Sequence, residues 1–426
     1  MRSNGKFGWL VVPVAALGLL VVGRAQSPPG GDKVVPATRV VPAPERLPKL
    51  RDGAKLAESA QPIFFSASRA LEWLKLTNKP DGRFVYGFQP ALRVQLEGDN
   101  FLSQAGATFA LARAARYYRD RRGTTIASQA ALRLLLETVV DPQDKTLRHP
   151  FLPATMVNRL SAGGALVSAI HELDSARDYK DLLDQADQLC NYLRRQQRAD
   201  GSLFVQAGDK LLKTGSDDHD AKHAGWALQG IIRSQRLRPA DWKLDALRKA
   251  RAFYSMQWQR GKSLTLACSH TPAYAEAFLA TREAAFKDAV FAMNDWLVEL
   301  QFREDFDSAR KHWTGGFPRP QTDGKLTGPP DISSAHAAES LAEACRVARA
   351  AGDLPRLQRF ERAFLLNMQF LLSLQYTAAR TQHFVPSFRP SVLGAFHASN
   401  QDGNLRIDYT QPALAGMVQY LDKVIE

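Results

Sequence analysis

The densest group of acidic and imidazole side chains in the sequence lies in one short stretch. Its members are Asp217, Asp218, His219, Asp220 and His223. Two carboxylates on either side of a glycosidic bond can act as general acid and general base, and an imidazole exchanges a proton near neutral pH. The surrounding segment, 215–235, changes from polar residues to a run rich in Ala and Gly. This change predicts a loop that leads into a buried helix, with a reaction centre at the junction.

Other loops carry side chains suited to binding rather than to reaction. Flat aromatic rings can stack on sugar faces, and guanidinium groups match carboxylates or sulfates. The predicted substrate-binding residues are Arg83, Tyr86, Phe88, Arg148, Arg159, Trp313, Phe317, His336 and Arg406. The alternatives are that the aromatic rings cover helix ends and that the arginines are solvated loop charges.

Small residues recur in six similar helix-like segments, and these must position the loops. The six segments begin near Gln104, Ser161, His223, Thr271, Ser333 and Thr410. Each follows a segment with apolar residues at helical spacing on one face. These amphipathic segments are expected around 63–74, 126–140, 182–197, 244–258, 286–300 and 360–375. The pattern predicts alternating outer and inner helices.

Six such hairpins would close into an (α/α)6 double toroid, an all-α fold with short strands in its long loops. Small residues allow the axes of the inner helices to approach closely, and stacking of neighbouring repeats buries a continuous core. The alternative is an open solenoid. The links from outer to inner helices are long and would emerge on one face of the ring, which is the predicted site.

Two placements follow from this ring. The inner helices would bring Gln104, Ser161, His223, Thr271, His336 and Gln411 around one cavity. The third and sixth inner helices would face each other, with Leu405-Arg406-Ile407-Asp408 extended and both charges on one side. The predicted catalytic residues are therefore Asp217, Asp220, His223 and Asp408. The alternative is that Arg406 and Asp408 form a structural pair that closes the ring.

The chain resembles the (α/α)6 toroids of the six-hairpin glycosidase-like superfamily, which includes glycosidases, sugar epimerases and polysaccharide lyases. The resemblance covers 57–425 and rests on the hairpin count, the run 194–204 and the helix starts at Gln104 and His223. It implies an enzyme that acts on a glycan. Hydrolysis would use two carboxylates, whereas epimerase or lyase chemistry would use a base such as His219, His223, His336 or Tyr409. The sequence leaves both open.

Two further classes of function remain as alternatives. The scaffold is also compatible with a non-catalytic protein that binds a glycan or the cell envelope. A terpene-cyclase-like toroid is the third reading, because the run 194–204 is similar to the turn repeats of those enzymes. The acidic signature of the cyclases is not reproduced, since Asp217-Asp218-His219-Asp220 has a different spacing.

The N-terminus predicts export. Arg2 and Lys6 precede an apolar run, 9–22, and small residues at Gly23 and Ala25 form a signal peptidase site. We predict a signal peptide at 1–25, a Pro-rich linker at 26–56 and the toroid domain at 57–426. The protein would be periplasmic or extracellular, with an uncleaved signal anchor as the alternative.

The composition limits the classes of molecule that the protein is expected to bind. The chain has 426 residues and a net charge of +13, and a basic exported protein meets anionic glycans before nucleic acid. We therefore expect a poly- or oligosaccharide partner, either neutral or anionic, and no nucleic acid. No metal and no cofactor are expected, because no calcium loop, His-Glu-x-x-His helix or phosphate loop is present. The three cysteines lack the spacing of a disulfide framework.

Overall fold

The structure is a computed structural model that describes residues 50–153, 156–204, 217–303, 308–321 and 325–425, without the side chains of Ser175 and of 217–220. The predicted signal peptide and most of the predicted linker lie outside the described residues. Within the described ranges, no helix combines the length and the apolar character that a membrane span requires.

Six helices form a closed inner ring. They are α2 (Phe101–Tyr118), α4 (Arg159–Ile170), α6 (Asp217–Ser234), α8 (Leu264–Thr281), α10 (Ser334–Ala351) and α13 (Ile407–Tyr420). Each contacts the next along the chain, and α13 returns to contact α2. The axes approach closely because small residues lie at the crossings: a Cβ on Gly164 would overlap the backbone at Trp226, and one on Gly225 would overlap Ser269. The closed ring excludes the open solenoid.

Six outer helices surround this ring. They are α1 (Gln61–Thr77), α3 (Arg121–Leu136), α5 (Lys180–Arg195), α7 (Asp241–Arg260), α9 (Ala284–Leu300) and α11 (Leu354–Ser373). Each buries one apolar face against the inner ring, as α5 does with Leu182, Ala186 and Leu189. Short links join inner to outer helices, and Asp120 caps the start of α3 by accepting from the Gly123 N–H. The predicted all-α (α/α)6 double toroid is confirmed.

The long links carry short strands and one four-residue helix, α12 (Arg389–Val392). The strands are β1 (Gly87–Gln89), β2 (Val94–Gln95), β3 (Thr138–Val140), β4 (Arg148–Pro150), β5 (Arg319–Pro320), β6 (Leu326–Gly328), β7 (His397–Ser399) and β8 (Asp402–Arg406). A four-stranded sheet has the order β2-β1-β8-β7, with Gly87 opposite Arg406. This sheet joins the link before α2 to the link before α13, so the first and last hairpins are linked on this face.

Four predicted boundaries are wrong. The inner helix expected to begin near Thr271 already begins at Leu264. The third link ends earlier than expected, because α6 already begins at Asp217. The helix expected to reach Val140 ends at Leu136, and Val140 belongs to β3. The alternating run before the last helix is extended only to Arg406, since Ile407 and Asp408 already belong to α13.

Candidate functional site

A cavity of about 390 Å³ lies between four inner helices, at the face where the long links emerge. It falls within the range of roughly 300–1,000 Å³ that is typical of small-molecule sites. Its walls come from α6, α8, α10 and α13, together with the link that follows α9. The polar and aromatic side chains that line it are Lys222, Trp226, Gln229, Lys262, Ser263, Thr265, Cys268, Ser269, Phe317, Ser333, His336, Glu339 and Gln411.

One face of α6 supplies three of these side chains. Lys222, Trp226 and Gln229 follow one another at helical spacing, so they lie above one another on the same side of the helix. The Trp226 ring is half-buried and meets the Phe109 ring edge-on, with 6.0 Å between centroids. Gln229 is buried, and its Nε2 has no hydrogen-bond partner among the described residues. A flat aromatic ring and a buried amide therefore belong to the wall of the same cavity.

One face of α10 supplies an imidazole and a carboxylate. His336 and Glu339 are three residues apart, so they lie on the same side of the helix. Oε1 of Glu339 accepts a hydrogen bond of 3.0 Å from Nη1 of Arg113. Burial raises the pKa of Glu339 above its usual value, although Arg113 and Arg233 oppose the rise. Desolvation, with a smaller contribution from Lys222, lowers the pKa of His336 to about 3, so this imidazole is neutral at pH 7.

Two lysines line the mouth of the cavity. Lys222 and Lys262 both reach its wall. Desolvation by the concave surroundings lowers the pKa of Lys222, and Asp408 partly offsets the effect. The described residues record no ion pair for either ammonium group. The mouth is therefore suited to an anionic group.

The predicted catalytic residues are not all brought together. Asp217 and Asp220 lie in the first turn of α6, and their side chains lie outside the described set. His223 is buried and its Nδ1 lies 2.7 Å from Oγ of Ser161, across the contact between α4 and α6. It does not line the cavity. Asp408 has a bidentate ion pair with Arg406, with Nε 2.8 Å from Oδ1.

Four arginines predicted to bind substrate have protein partners. Arg406 pairs with Asp408, and its guanidinium lies over the rings of Tyr86 and Tyr409, at 4.8 and 5.0 Å from the centroids. Arg83 pairs with Glu137, with Nε 3.0 Å from Oε1, and with Asp99.

Arg148 donates to Oγ1 of Thr138 at 2.8 Å and to Gln188 at 3.1 Å. Arg159 donates to the Leu152 carbonyl at 3.2 Å. None of the four arginines lines the cavity, so their predicted role in binding substrate stays a prediction.

The predicted aromatic residues divide between the cavity and other contacts. Phe317 is fully buried and forms part of the cavity wall. Trp313 is half-buried, packs on Phe302 and lies under Arg310. Phe88 is buried and meets Phe388 edge-on.

The expectation that six helix-start residues surround one cavity is wrong for most of them. Only His336 and Gln411 line it. Gln104 turns to the link before α2, where it donates to the Phe84 carbonyl and to Asp99. Thr271 turns outward and accepts from Asn294 of α9 at 3.0 Å. These residues lie at different depths in their helices, because α2 begins three residues before Gln104 whereas α8 begins seven residues before Thr271.

Sequence reasoning missed Lys222, Trp226 and Gln229, and it counted Glu339 only among the carboxylates available for hydrolysis. Their spacing of three or four residues was visible, but it is also the spacing of buried faces. The available signal was that polar or aromatic residues occupy these positions in helices rich in Ala. The described residues contain no cluster of three or more His, Cys, Asp or Glu side chains that could hold a metal ion.

Comparisons with solved structures identify the fold. A D-mannose isomerase matches with a TM-score of 0.59 and 11% identity, over 86% of this chain and 100% of that chain. Cellobiose 2-epimerase from Bacillus thermoamylovorans B4167 matches at 0.55 and 11%, over 82% and 95%. An unsaturated glucuronyl hydrolase specific for heparin matches at 0.54 and 11%, over 85% and 97%. The chain therefore has the six-hairpin glycosidase-like (α/α)6 toroid fold.

Two other comparisons found no match. No protein-family model matches the chain. No curated protein matches it either.

Proposed function

We propose that the protein is a carbohydrate-active enzyme whose reaction centre is the cavity between α6, α8, α10 and α13. One observation carries the proposal: the cavity holds the Glu339 carboxylate, with its raised pKa, on the same helix face as the neutral imidazole of His336. A carboxyl group with a pKa moved toward neutrality can give and take a proton at working pH. Trp226 supplies a ring on which a sugar can stack.

The described residues favour proton transfer at carbon, as in epimerases and lyases, over hydrolysis. Among the side chains described at this cavity, Glu339 is the only carboxylate, and His336 is a second group able to accept a proton. Hydrolysis needs a second carboxylate on the other side of the glycosidic bond. Asp217 and Asp220, in the first turn of α6, remain the residues predicted to supply it. Glu339 has the acid–base role in either reaction.

The substrate is proposed to be an anionic glycan. Lys222 and Lys262 line the mouth, and ammonium groups attract carboxylate or sulfate substituents. The net charge of +13, which falls to +10 when Arg2, Lys6 and Arg24 are removed with the predicted signal peptide, adds long-range attraction for polyanions. The hydrolase with the same fold is, by its description, specific for heparin. Exposure to such glycans requires export, which the N-terminal sequence predicts.

The test compares two glutamates of α10. Glu339→Gln keeps an acceptor for Arg113 but removes the transferable proton, so turnover should fall at least about a hundredfold, in keeping with the usual contribution of a general acid or base. Glu343→Gln is the matched control, because Glu343 is also buried, pairs with Arg346 and does not line the cavity; since its charge contributes to the raised pKa of Glu339, this variant should lower turnover far less than Glu339→Gln does. Both variants are assayed on neutral and uronate-containing saccharides for isomerised, unsaturated or reducing products. Full activity of Glu339→Gln would refute the assignment.

The second candidate function is non-catalytic binding of a glycan. It is supported by the ion pairs that occupy Arg83 and Asp408, which leave fewer free charged groups on this face than the sequence suggested. Saccharide binding measured by calorimetry, with no product formed from any saccharide in the panel, would favour it. In that case Trp226→Ala should weaken binding while Glu339→Gln leaves it nearly unchanged.

A further inference from the structure

Arg113 connects the cavity floor to a second, buried carboxylate. Its guanidinium is fully buried inside the inner ring, and Nη1 donates to Glu339 at 3.0 Å and to the Ala415 carbonyl at 3.3 Å. On its other side, Nε lies 3.6 Å from Oε1 of Glu172. The same guanidinium lies over the Phe109 ring, 4.4 Å from its centroid. Glu172 does not line the cavity, so Arg113 is shared between a reactive and a buried carboxylate.

Glu172 is the centre of a group of arginines beneath the cavity. Nη1 of Arg233 donates to its Oε2 at 2.5 Å, and Nη2 of Arg116 donates to its Oε1 at 2.7 Å. Burial alone would raise the pKa of Glu172, but Arg233, Arg113 and Arg116 outweigh it and hold the pKa at about 2. Glu172 is therefore ionised near neutral pH. It offsets part of the positive charge next to Glu339.

We propose that Arg113 is a positioning residue that sets the protonation of Glu339, and that Glu172 limits how strongly it does so. The inference rests on the proposed role of Glu339 in the cavity. Its physical basis is that an opposite charge within hydrogen-bond distance favours the ionised carboxylate, while burial favours the protonated acid. At Glu339, burial alone would favour the protonated acid, and the positive charge of Arg113 favours the carboxylate.

The other titratable groups around Glu339 act less directly. Arg233 of α6 and Glu343 of its own helix act on it through their charges. Lys222, Cys268 and His336 line the same cavity, and Glu276 of α8 lies 4.0 Å from Arg233. The part of α13 nearest to it contributes Gln411 and the Ala415 carbonyl, which carry no net charge. Among the described residues, Arg113 donates the one side-chain hydrogen bond recorded to Glu339. It is therefore the group through which the protein acts most strongly on this carboxyl.

The two residues predict shifts of opposite sign. Removing the positive charge with Arg113→Met takes away the main stabilisation of the carboxylate, so the titration midpoint of Glu339 should rise by about one pH unit or more. The Glu172→Gln substitution removes a negative charge near the Glu339 carboxylate and leaves Arg113 and Arg233 without this ion-pair partner. The midpoint should then fall. Loss of packing in either variant would not produce opposite shifts.

The experiment measures Glu339 directly, without a substrate. The side-chain carboxyl carbons of glutamate are labelled with ¹³C, the Glu339 signal is assigned by its absence in Glu339→Gln, and its chemical shift is followed with pH in the full chain. Arg113→Lys keeps the positive charge and should remain closer to the wild-type midpoint than Arg113→Met. Thermal unfolding confirms that each variant is folded, and if Arg113→Met does not fold, Glu172→Gln and Arg113→Lys decide the question.

Midpoints that stay unchanged, or that move in the same direction in both variants, would overturn the inference. The outcome is separate from that of the proposed function, because the titration needs no activity. If Glu339→Gln remained fully active while the midpoints shifted as expected, Glu339 would not be the catalytic residue. The electrostatic coupling of Arg113 and Glu172 to Glu339 would still be supported. With a substrate known, the pH at which activity changes should move in the same directions as the NMR midpoints.

Discussion

Glu339 and Asp408 each accept hydrogen bonds from an arginine, but their side chains differ in how much of them is exposed to solvent. The Glu339 side chain is 9% exposed and accepts one hydrogen bond from Arg113. The Asp408 side chain is 27% exposed and has both oxygens paired with Arg406. Desolvation favours the protonated acid, while a bidentate guanidinium favours the carboxylate. This geometry suits Glu339 to proton transfer. It suits Asp408 to holding Arg406 against Tyr86, and the catalytic role of Asp408 stays a prediction.

His270 predicts a pH dependence of stability. It is fully buried in α8 between the rings of Tyr254 and Tyr274, and desolvation lowers its pKa to about 3. The unfolded imidazole has a pKa of about 6.5. Between these values the unfolded state binds a proton that the folded state does not, so stability is full above about pH 6.5 and falls as the pH drops towards 3. The cost is about 1.4 kcal/mol per pH unit for one such histidine.

His270→Gln should remove this contribution. The free energy of unfolding from urea titrations should depend less steeply on pH between about 6 and 4, by up to about 1.4 kcal/mol per unit. His383→Gln is the control, because that imidazole lies in an exposed part of the last long link. An unaltered slope in His270→Gln would contradict the prediction.

At the scale of elements, two adjacent glycines of α4 have different surroundings. A Cβ on Gly164 would overlap the backbone at Trp226 and Ala227 of α6, whereas one on Gly163 would meet only Leu193 at 3.4 Å. Gly164→Ala should therefore force α4 and α6 apart and lower the free energy of unfolding by about 1–3 kcal/mol. Gly163→Ala should be neutral or slightly stabilising, because Ala favours helix by up to about 1 kcal/mol over Gly. Chemical denaturation of both variants measures the difference, and equal effects would refute the close packing of this pair.

The acidic cluster lies in a helix and not in the predicted loop. Asp217 to Asp220 were expected in a loop, yet α6 already begins at Asp217. Carboxylates in the first turn of a helix are stabilised by the unpaired N–H groups and by the helix dipole. The acidic residues therefore extend the helix instead of preceding it.

At the scale of the whole molecule, the predicted route out of the cytoplasm can be tested. Expressed with its own N-terminus in a Gram-negative host, the protein should appear in the periplasm and have the mass of a chain that starts at Gln26, because Gly23 and Ala25 form the expected cleavage site. Ala25→Phe should block cleavage, while Arg24→Phe, at a position that the peptidase tolerates, should not. A cytoplasmic protein of full mass would contradict export, and an uncleaved protein in the membrane fraction would support the signal anchor instead.

The sequence by itself determined the number and order of the twelve ring helices, whereas α12 was not predicted. Periodic apolar residues and runs of Ala and Gly are local patterns, and they are sufficient to predict six hairpins with buried inner helices. The long links, and the face on which they emerge, follow from the same alternation. Phe317 and His336 were also predicted to bind substrate, and both line the cavity.

Only the tertiary structure decided which side of each inner helix faces the cavity. Gln104 and Thr271 were predicted at the cavity but bond away from it, while Glu339 and Gln229 lie in its wall. The rotation of an inner helix depends on its packing against two ring neighbours and one outer helix, and these partners are distant in sequence. The pairing of Arg113 with both Glu339 and Glu172 has the same origin, because it joins α2, α10 and the end of α4 across a buried interior where each charge requires a partner.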